Sequence, residues 1–392
     1  MCTNLMLKVP SQLGTDGSPP LYVSSRCMEL PGVSDSNVYV MPKGQSFPIG
    51  DVPFVLNPTT WTSTIDFVGI APSGSAWQRT PSFNDGLNTA GLSVAALWLE
   101  PGTEYPGAGR NQVAFLELPA WILGQFSTVD DVKQALLDTD TPTAITVVGP
   151  TSSGPWQEYF VPLHYVVTDA TGQSIVIEFV KGVVHVHDSP NAVLANAPTY
   201  DWQRTNVDNY ANLSLIGGAT STTGNGPPLG SSMLGLPGDS LSASRFIKAW
   251  YLSQGFGQLP ADGTNWLPAP GGSGANPPGF ADPEQTAVVV AMQLVQICMG
   301  TPYGMLLQPG GHHEPPTIGD YTMWTSVRDH TNRNYYFVSA FSGILTKVDL
   351  DEIDFDAAPA YPDSTSLPVI PQPGAAWYVD STSAMQTAGA AA

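Results

Sequence analysis

Extended apolar segments dominate the first hundred residues of the chain. Short segments rich in aliphatic side chains are bounded there by Gly, Pro, Ser or Asp, and they cover residues 5–9, 21–28, 38–41 and 92–99. Successive residues of a strand face opposite sides of a sheet, so bounded segments of this length predict β-strands. The N-terminal part of the chain is therefore expected to be mostly extended.

The spacing of apolar residues becomes helical between residues 121 and 137. Ser127 and Thr128 precede Asp130 and Asp131, and this order of residue types is typical of a helix N-terminus. It predicts a helix that starts near residue 128. Two further segments with helical spacing are 242–252 and 283–298.

A third pattern, two apolar runs separated by a turn, fills residues 163–186. The polar residues 169–172 between the runs favour a tight turn, so the segment predicts a meander of antiparallel strands. Further strands are predicted at 321–329, 334–340 and 344–349. Blocks of strands flanked by blocks of helix, without strict alternation, indicate an α+β architecture in which antiparallel sheets pack against helices.

The composition is that of a globular protein with many loops. The 392 residues include 39 Gly and 37 Pro, and two Gly/Pro-rich stretches, 217–238 and 256–282, lack any apolar periodicity. We interpret them as surface insertions, and the chain from about residue 356 as an extended tail. No internal repeat is visible in the sequence.

Charge and hydropathy exclude some partners. The chain has 13 Lys and Arg against 33 Asp and Glu, a formal net charge of −20, which disfavours nucleic acid and anionic membrane as partners. The longest apolar stretch, 286–299, is shorter than the roughly 20 residues of a membrane-spanning helix. Because no basic and apolar leader is recognisable at the N-terminus, a cytoplasmic location is the default expectation.

Three cysteines are too few and too widely spaced for a disulfide framework or a zinc site. Cys27 and Cys298 lie in predicted apolar elements, where a cysteine is usually a small buried hydrophobe. Cys2 differs, since removal of Met1 would make it the N-terminal residue. Its thiol could then act as nucleophile while its own α-amine, with a reference pKa of about 7.7–8.0, acts as base.

Two charged residues in the second predicted strand could assist that chemistry. Arg26 beside the thiol would favour the thiolate, although a surface salt bridge is the alternative explanation for this arginine. Glu29 could hold the protonated α-amine. Strand alternation places Arg26 and Glu29 on opposite faces, so both reach one site only if the strand bends or ends there.

Several ordered motifs then make the chain resemble the choloylglycine hydrolase family, which includes penicillin V acylases and conjugated bile salt hydrolases. They are MCTNLML at the N-terminus, the R-x-M-E run at 26–29, NDGLNTAGLSVAALWLEPGTEYP at 84–106, VLANAPTYDWQ at 193–203, GLPGDSLSASRFIKA at 235–249 and YTMWTSVRDHTNRNYYFVSAF at 321–341. The resemblance implies the fold of the N-terminal nucleophile hydrolases, an αββα sandwich of two antiparallel sheets between helical layers. It also implies one such domain over residues 1–392 and hydrolysis of linear carbon–nitrogen amide bonds.

The resemblance also implies catalytic residues. Cys2 is similar to the nucleophile of the family, Arg26 to the arginine beside it, and Glu29 falls where most members have aspartate. Asn196 is similar to the asparagine that donates to the oxyanion, and Arg245 to a second active-site arginine. Read singly, Asn196 could be a turn residue, and Arg245 could pair with an acidic neighbour such as Asp239.

The acyl pocket is less well determined by the sequence. Trp98 stands where one branch of the family has an asparagine of the oxyanion hole, and its indole is expected to line the pocket instead, leaving that donation to a backbone N–H. Met28, Leu30 and Phe67 are predicted to line it with Trp98. An apolar pocket favours a small-molecule N-acyl amide such as penicillin V or a fatty acyl amide, including an acyl-homoserine lactone, over a conjugated bile salt.

Some alternatives remain at this stage. His185 and His187 lie beside Asp188 on a predicted strand, and residues 312–314 read His-His-Glu, but neither group has a complete set of zinc ligands. We expect no metal and no cofactor. The alternative functions are conjugated bile salt hydrolysis and a catalytically idle relative that binds a small amphipathic ligand. The resemblance further implies a homo-oligomer, a tetramer.

Overall fold

The structure is a computed structural model that describes residues 2–9, 20–30, 35–73, 82–213, 233–255, 283–309 and 314–369. Strands make up most of its regular structure, and each strand that the sequence predicts is present within a few residues. In chain order the strands are β1 Cys2–Val9, β2 Leu21–Leu30, β3 Ser36–Met41, β4 Ser46–Phe47, β5 Trp61–Thr62, β6 Phe67–Pro72, β7 Asp85–Asn88, β8 Ser93–Trp98, β9 Gln112–Ala114, β10 Thr146–Val148, β11 Leu163–Thr168, β12 Ser174–Val180, β13 Val183–Asp188, β14 Leu307–Gln308, β15 Thr317–Ile318, β16 Tyr321–Asp329, β17 Asn334–Ser339, β18 Thr346–Asp349 and β19 Ser366–Pro368.

The described residues form five α-helices, which include the three that the sequence predicts. They are α1 Leu118–Gln125, α2 Val129–Leu137, α3 Tyr200–Asn206, α4 Ser242–Ser253 and α5 Pro283–Met299, with single 3₁₀ turns at Gln157–Tyr159, Val207–Tyr210 and Leu350–Glu352. The helix expected near residue 128 is α2. Thr128 is its N-cap, and its Oγ1 accepts a hydrogen bond from the backbone N–H of Asp131 at 3.2 Å.

The helical spacing between residues 121 and 137 proves to span two helices rather than one. Phe126, at φ −125° and ψ 147°, ends α1, and Thr128, at φ −131° and ψ 153°, precedes α2. Both residues have extended backbones, which interrupt the ladder of helical hydrogen bonds. The capping signature, rather than the apolar spacing, therefore marks the boundary between the two helices.

Two large antiparallel sheets carry the fold. The first has the strand order β1-β2-β16-β17-β18, and the second has the order β13-β12-β11-β8-β7-β6-β3-β19. The predicted meander is confirmed as β11, β12 and β13, and the turn between β11 and β12 closes through the N–H of Gly172, which donates to the carbonyl of Asp169 at 3.0 Å. Gly172 has φ +78°, a left-handed conformation that favours glycine.

The sheets stack face to face between helices, which is the αββα arrangement that the resemblance implies. Helices α4 and α5 pack on the outer face of the first sheet, and α1 and α2 pack on the second. Strand β2 illustrates the layering. Ser25 Oγ donates to the carbonyl of Ala291 in α5, whereas its neighbour Arg26 donates to the carbonyl of Ala96 in the second sheet. Side chains at alternate positions therefore reach opposite layers.

The two predicted insertions lie largely outside the described residues, namely at 217–232 and 256–282. The part of the tail that is described contributes an edge strand, because β19 pairs antiparallel with β3. The remainder of the tail, from residue 370, also lies outside the described residues. Among those that are described, no helix has the length and apolar character needed to cross a membrane.

Candidate active site

Cys2 is the first residue of β1 and lies between the two sheets. It pairs with Met28 of β2 in the antiparallel register, and only 3% of its surface is exposed. Two residues along the same strand, Asn4 forms a backbone bridge with Leu194, which brings the chain after β13 against the free edge of β1. Cys2 therefore lies where β1, β2 and the segment that follows β13 meet.

Arg26 reaches the thiol from the adjacent strand. Its NH2 group lies 3.5 Å from Cys2 Sγ and 3.1 Å from Met28 Sδ, and Met28 Sδ is in turn 3.4 Å from Cys2 Sγ. The guanidinium is fully buried and donates to the backbone carbonyls of Asn84 and Ala96. The alternative of a surface salt bridge is thus excluded, since the arginine is a fixed, desolvated cation beside the sulfur.

Neighbouring charges outweigh the effect of burial on Arg26. Burial lowers the pKa of a guanidinium, but Cys2 and Asp85 act in the opposite direction, and the pKa of Arg26 lies above its ordinary value. The guanidinium also stacks over Trp324, with 5.1 Å between its central carbon and the ring centroid. A guanidinium in a protein stays protonated, so Arg26 is a permanent cation.

Glu29 lies on the opposite face of β2, as strand alternation predicts, yet it borders the same cavity as Met28. The pairing of β16 with β2 shifts register between Thr322 and Trp324, opposite these residues, and such an irregularity bends a strand. Thr322 Oγ1 donates to Glu29 Oε1 at 2.9 Å. Burial raises the pKa of Glu29 to about 7, although nearby charges, including that of Arg245, act to lower it.

Asn196 projects from the segment between β13 and α3. Its Oδ1 accepts a hydrogen bond from the backbone nitrogen of Cys2 and another from Arg245, both at 2.7 Å, and its Nδ2 donates to the carbonyl of Trp98 at 2.7 Å. Gln203, in α3, donates to the carbonyl of Asn196 at 3.0 Å. Asn196 therefore acts as a junction between β1, β8 and α4, which is more than a turn residue requires.

Arg245 is buried on α4 and binds the same part of β1. It donates to the carbonyl of Cys2 and to Thr3 Oγ1, the latter at 2.7 Å. The alternative pairing with Asp239 does not occur, because Asp239 accepts hydrogen bonds from Leu241 N and Ser244 Oγ. Arg245 instead orients the backbone on either side of the Cys2 side chain.

A cavity of about 180 Å³ opens beside Cys2. Trp98 lines it with an indole that is 39% exposed, and the two predicted lining residues of β2 are present as well. The sequence analysis missed several lining residues because they come from other strands and loops. The described residues that line the cavity are Cys2, Met28, Glu29, Leu30, Pro72, Ser82, Asn84, Ala96, Leu97, Trp98, Leu116, Val161 and Leu163.

The prediction that Phe67 lines this cavity is wrong. Phe67 has no exposed surface and packs on Phe83, with 5.4 Å between ring centroids, in the core between the second sheet and helices α1 and α2. The next residue, Val68, faces the core between the sheets instead. Strand alternation thus directs Phe67 to the face of β6 that points away from Cys2.

The other candidate groups lie elsewhere. Cys27 and Cys298 are buried free cysteines, and burial raises the pKa of Cys298 to about 12 and that of Cys27 well above its ordinary value. His185 and His187 lie on β13, and no cluster of three metal-ligating side chains occurs within the described part of the chain. Residues 312 and 313 lie outside it.

Comparison with protein families confirms the resemblance. Residues 13–262 match the family described as linear amide C–N hydrolases, choloylglycine hydrolase family. Over 343 residues the chain is 27% identical to a penicillin V acylase from Pectobacterium atrosepticum, covering 86% of this chain and 79% of that protein. Over 274 residues it is 29% identical to a conjugated bile acid hydrolase from Lactobacillus gasseri, covering 68% of this chain and 78% of that protein.

Another curated relative, a bile salt hydrolase/transferase from Clostridium perfringens, is 32% identical over 191 residues, a match that spans only 54% of that protein and 46% of this chain. Solved structures share the fold over nearly the whole chain. A mutant conjugated bile acid hydrolase from Clostridium perfringens superposes with a TM-score of 0.70 at 20% identity, covering 95% of this chain and 97% of that one. A penicillin V acylase from Agrobacterium tumefaciens gives 0.61 at 21% identity, covering 94% and 90%.

Proposed function

Because the chain belongs to the choloylglycine hydrolase family of linear amide C–N hydrolases, we propose that it cleaves the amide of a small N-acyl substrate with the thiol of Cys2 as nucleophile. The observation that carries the proposal is the placement of Cys2. Cys2 lines an apolar cavity, while its backbone nitrogen and carbonyl are held by Asn196 and Arg245. Removal of Met1 would turn that nitrogen into an α-amine.

The reaction then needs no group beyond the chain and water. The Sγ of Cys2 attacks the carbonyl carbon of the amide, and the α-amine takes the thiol proton. The tetrahedral intermediate collapses by breaking the C–N bond, and the departing amine receives the proton. Water attacks the resulting thioester with the α-amine again as base, which releases the acid and restores the thiol.

Different neighbouring residues stabilise the different charges that form during the reaction. Arg26 stabilises the thiolate, and Glu29 balances the charge of the α-ammonium from the helix side of β2. We assign oxyanion stabilisation to Asn196, whose amide carries two hydrogens, one of them donated to the carbonyl of Trp98. Arg245 positions Asn196 Oδ1 and the carbonyl of Cys2.

The cavity favours an apolar acyl group. Its described lining is dominated by aliphatic side chains and Trp98, and it includes no lysine or arginine side chain. A phenoxyacetyl or fatty acyl group suits such a surface, whereas a conjugated bile salt also requires room for a steroid. We therefore propose penicillin V-like or long-chain acyl amides, including acyl-homoserine lactones, as substrates.

Parallel kinetics would test the substrate class. The values of kcat/KM for penicillin V, a long-chain acyl amide and glycocholate should be measured under one set of conditions. We expect either of the first two to exceed glycocholate by at least tenfold. A preference for glycocholate would assign the chain to bile salt hydrolysis, which the names of several relatives favour, and would leave the role of Cys2 intact.

The alternative of an idle, ligand-binding relative is tested by mass. Intact-mass measurement before and after treatment with a thiol reagent reports both the loss of Met1 and the modification of Cys2. We expect a protein that lacks Met1 and gains one adduct in the folded state, since Cys2 lines the cavity whereas burial raises the pKa of the Cys27 and Cys298 thiols. A protein that retains Met1 and binds acyl amides without cleaving them would favour the binding function.

We further propose that residues 1–392 form one domain and that the chain assembles as a homotetramer. The two core clusters share the second sheet as a common wall, which supports a single folding unit. Light scattering of the purified protein would test the assembly, and a single cooperative unfolding transition would test the domain count. A monomeric mass or two separate transitions would contradict these proposals.

A further inference from the structure

Three charged side chains lie buried together behind Cys2. Arg26, Asp85 and Arg328 come from β2, β7 and β16, and each is at most 1% exposed. Asp85 Oδ2 lies 3.5 Å from Arg26 NH1 and 3.1 Å from Arg328 NH1. The hydroxyl of Tyr335 donates to Asp85 Oδ1 at 2.8 Å. None of these contacts was anticipated from the sequence.

The charges of this cluster do not balance by themselves. Two guanidinium groups share one carboxylate, which leaves one surplus positive charge away from water, and an unbalanced buried charge is costly. Arg26 NH2 is also 3.5 Å from Cys2 Sγ. If Cys2 is a thiolate, the four groups sum to zero. Within this cluster, a thiolate at Cys2 would offset the surplus positive charge.

Arg328 also connects the cluster to the segment that carries Asn196. Its NH2 group lies 2.5 Å from Asn4 Oδ1, and Asn4 Nδ2 donates to the carbonyl of Ala192 at 2.7 Å. Backbone hydrogen bonds between Asn4 and Leu194 lie two residues further along. A single guanidinium thus joins β16 to β1 and, through Asn4, to the chain beside Asn196.

We propose that Arg328 is a positioning residue that shares the carboxylate of Asp85 with Arg26, so that the surplus positive charge of the cluster is directed at Cys2 Sγ. Without Arg328, Asp85 would neutralise Arg26 and draw its guanidinium away from the sulfur. This inference rests on the proposed role of Cys2 as nucleophile. Its test uses the thiol itself and does not depend on any substrate.

Other titratable groups also surround Cys2 and must stay constant in such a test. Glu29 titrates with a pKa of about 7 because of its burial, so it contributes a pH dependence of its own that every variant shares. The α-amine of Cys2 is another such group. The described charged or titratable groups on the elements packed around Cys2 include Arg26, Cys27 and Glu29 on β2, Asp85 on β7, Arg328 and Asp329 on β16, Tyr335 on β17, Arg245 and Lys248 on α4, and Glu284 and Cys298 on α5.

The experiment is a charge series measured by alkylation of Cys2. In a Cys27→Ala, Cys298→Ala background, Cys2 is the remaining thiol, and its rate of reaction with iodoacetamide is recorded against pH. Arg328→Met reduces the cluster charge from +1 to 0, Asp85→Asn raises it to +2, and the double variant returns it to +1. Arg328→Lys also keeps +1 and serves as the matched control, since it loses the planar fork but retains the charge.

We expect the pH midpoint of alkylation to follow the charge. Arg328→Met should move it up by about one pH unit, Asp85→Asn should move it down, and the double variant and Arg328→Lys should remain near the parent. If Arg328 had only a structural role, the midpoint would not shift in opposite directions in Arg328→Met and Asp85→Asn. Should Arg328→Met fail to fold, Asp85→Asn and the double variant still differ by Arg328 alone, and the double variant should have the higher midpoint.

Midpoints that coincide, or that all move in one direction, would overturn the role of Arg328. If the series behaves as expected but the parent hydrolyses no N-acyl amide, the proposed function fails and the charge cluster stands. If the parent is an active hydrolase but the pH midpoint of alkylation is the same in all variants, only the inference about Arg328 fails.

Discussion

Asn196 Oδ1 accepts a hydrogen bond of 2.7 Å from the backbone nitrogen of Cys2, across a sequence separation of 194 positions. The same oxygen accepts from Arg245 on α4, and the amide nitrogen of Asn196 donates to β8. One side chain thereby fixes the nitrogen of the proposed nucleophile relative to both sheets and a helix. The proposed chemistry depends on that placement, and four predictions test it.

Substitution of Cys2 should abolish hydrolysis. Cys2→Ser and Cys2→Ala are expected to lose all measurable turnover, because only this thiol can share a residue with an α-amine. Cys27→Ala and Cys298→Ala are the matched controls and should retain most activity, since burial keeps these thiols protonated. Turnover is measured on the best N-acyl substrate, and intact mass reports the state of Met1. A fully active protein that retains Met1 would refute the mechanism.

Loss of the Asn196 amide should reduce turnover more than binding. Removal of one oxyanion donor typically lowers kcat by about 10²–10³, and we expect Asn196→Ala to fall in this range with KM within a few-fold of the parent. Gln203→Met is the control, because it removes hydrogen bonds to the carbonyls of Asn196 and Pro198 and to Ser242 Oγ while the Asn196 amide stays in place. It should lose less turnover than Asn196→Ala. A kcat for Asn196→Ala within a few-fold of the parent would show that its role is structural.

The buried carboxyl of Glu29 should make stability depend on pH. It ionises near pH 4.5 in an unfolded chain and near pH 7 in the folded one, so the stability it contributes is present below pH 4.5 and is lost as the pH rises through 7. The loss amounts to about 3 kcal/mol. Glu29→Gln, which keeps an acceptor for Thr322, should therefore flatten the dependence of the unfolding free energy on pH.

Glu117 provides a matched control for that measurement. Burial likewise raises its pKa to about 7, but it does not line the cavity at Cys2. Glu117→Gln should flatten the same stability profile and leave hydrolysis near that of the parent, whereas Glu29→Gln should also impair hydrolysis. Denaturant titrations between pH 4.5 and 8 measure the unfolding free energy of the parent and of both variants. An unchanged slope in Glu29→Gln would mean that its carboxyl is already ionised at the lower pH.

Trp98 and Phe67 should separate substrate binding from stability. Trp98→Ala removes a half-exposed wall of the cavity, so KM for an apolar acyl amide should rise while the unfolding free energy changes little. Phe67→Ala removes a fully buried ring and should cost about 3–5 kcal/mol of stability with KM unchanged. Denaturation and steady-state kinetics on both variants measure this contrast. A large rise in KM for Phe67→Ala would place it in functional contact with the cavity after all.

The elements of the fold could be predicted because their causes are local. The apolar run of β16 was predicted at residues 321–329 and occupies Tyr321–Asp329. The cap at Thr128 marked the start of α2 because its side chain bonds within its own turn. For the site, a second-position cysteine and an arginine in a strand suggested the chemistry from residue types alone, and the family motifs added Asn196 and Arg245.

Only the tertiary structure decided which side chains meet. Alternation along β6 divides its residues between two faces, but the identity of the face that covers Cys2 depends on how the two sheets stack, and this is why Phe67 was misplaced. The register shift opposite Met28 and Glu29 likewise arises from pairing with β16, nearly 300 residues away, as the Thr322 contact at a separation of 293 positions illustrates.

The buried charges behind Cys2 also depend partly on the sequence and partly on the tertiary structure. The sequence by itself determined that Arg26 and Arg328 lie on strands, where each could equally have faced solvent. Their convergence on Asp85, which is 243 positions from Arg328, required three strands from two sheets to come together. Local periodicity specifies the direction of a side chain relative to its own strand, whereas the partner it finds there depends on long-range packing, which no short stretch of sequence encodes.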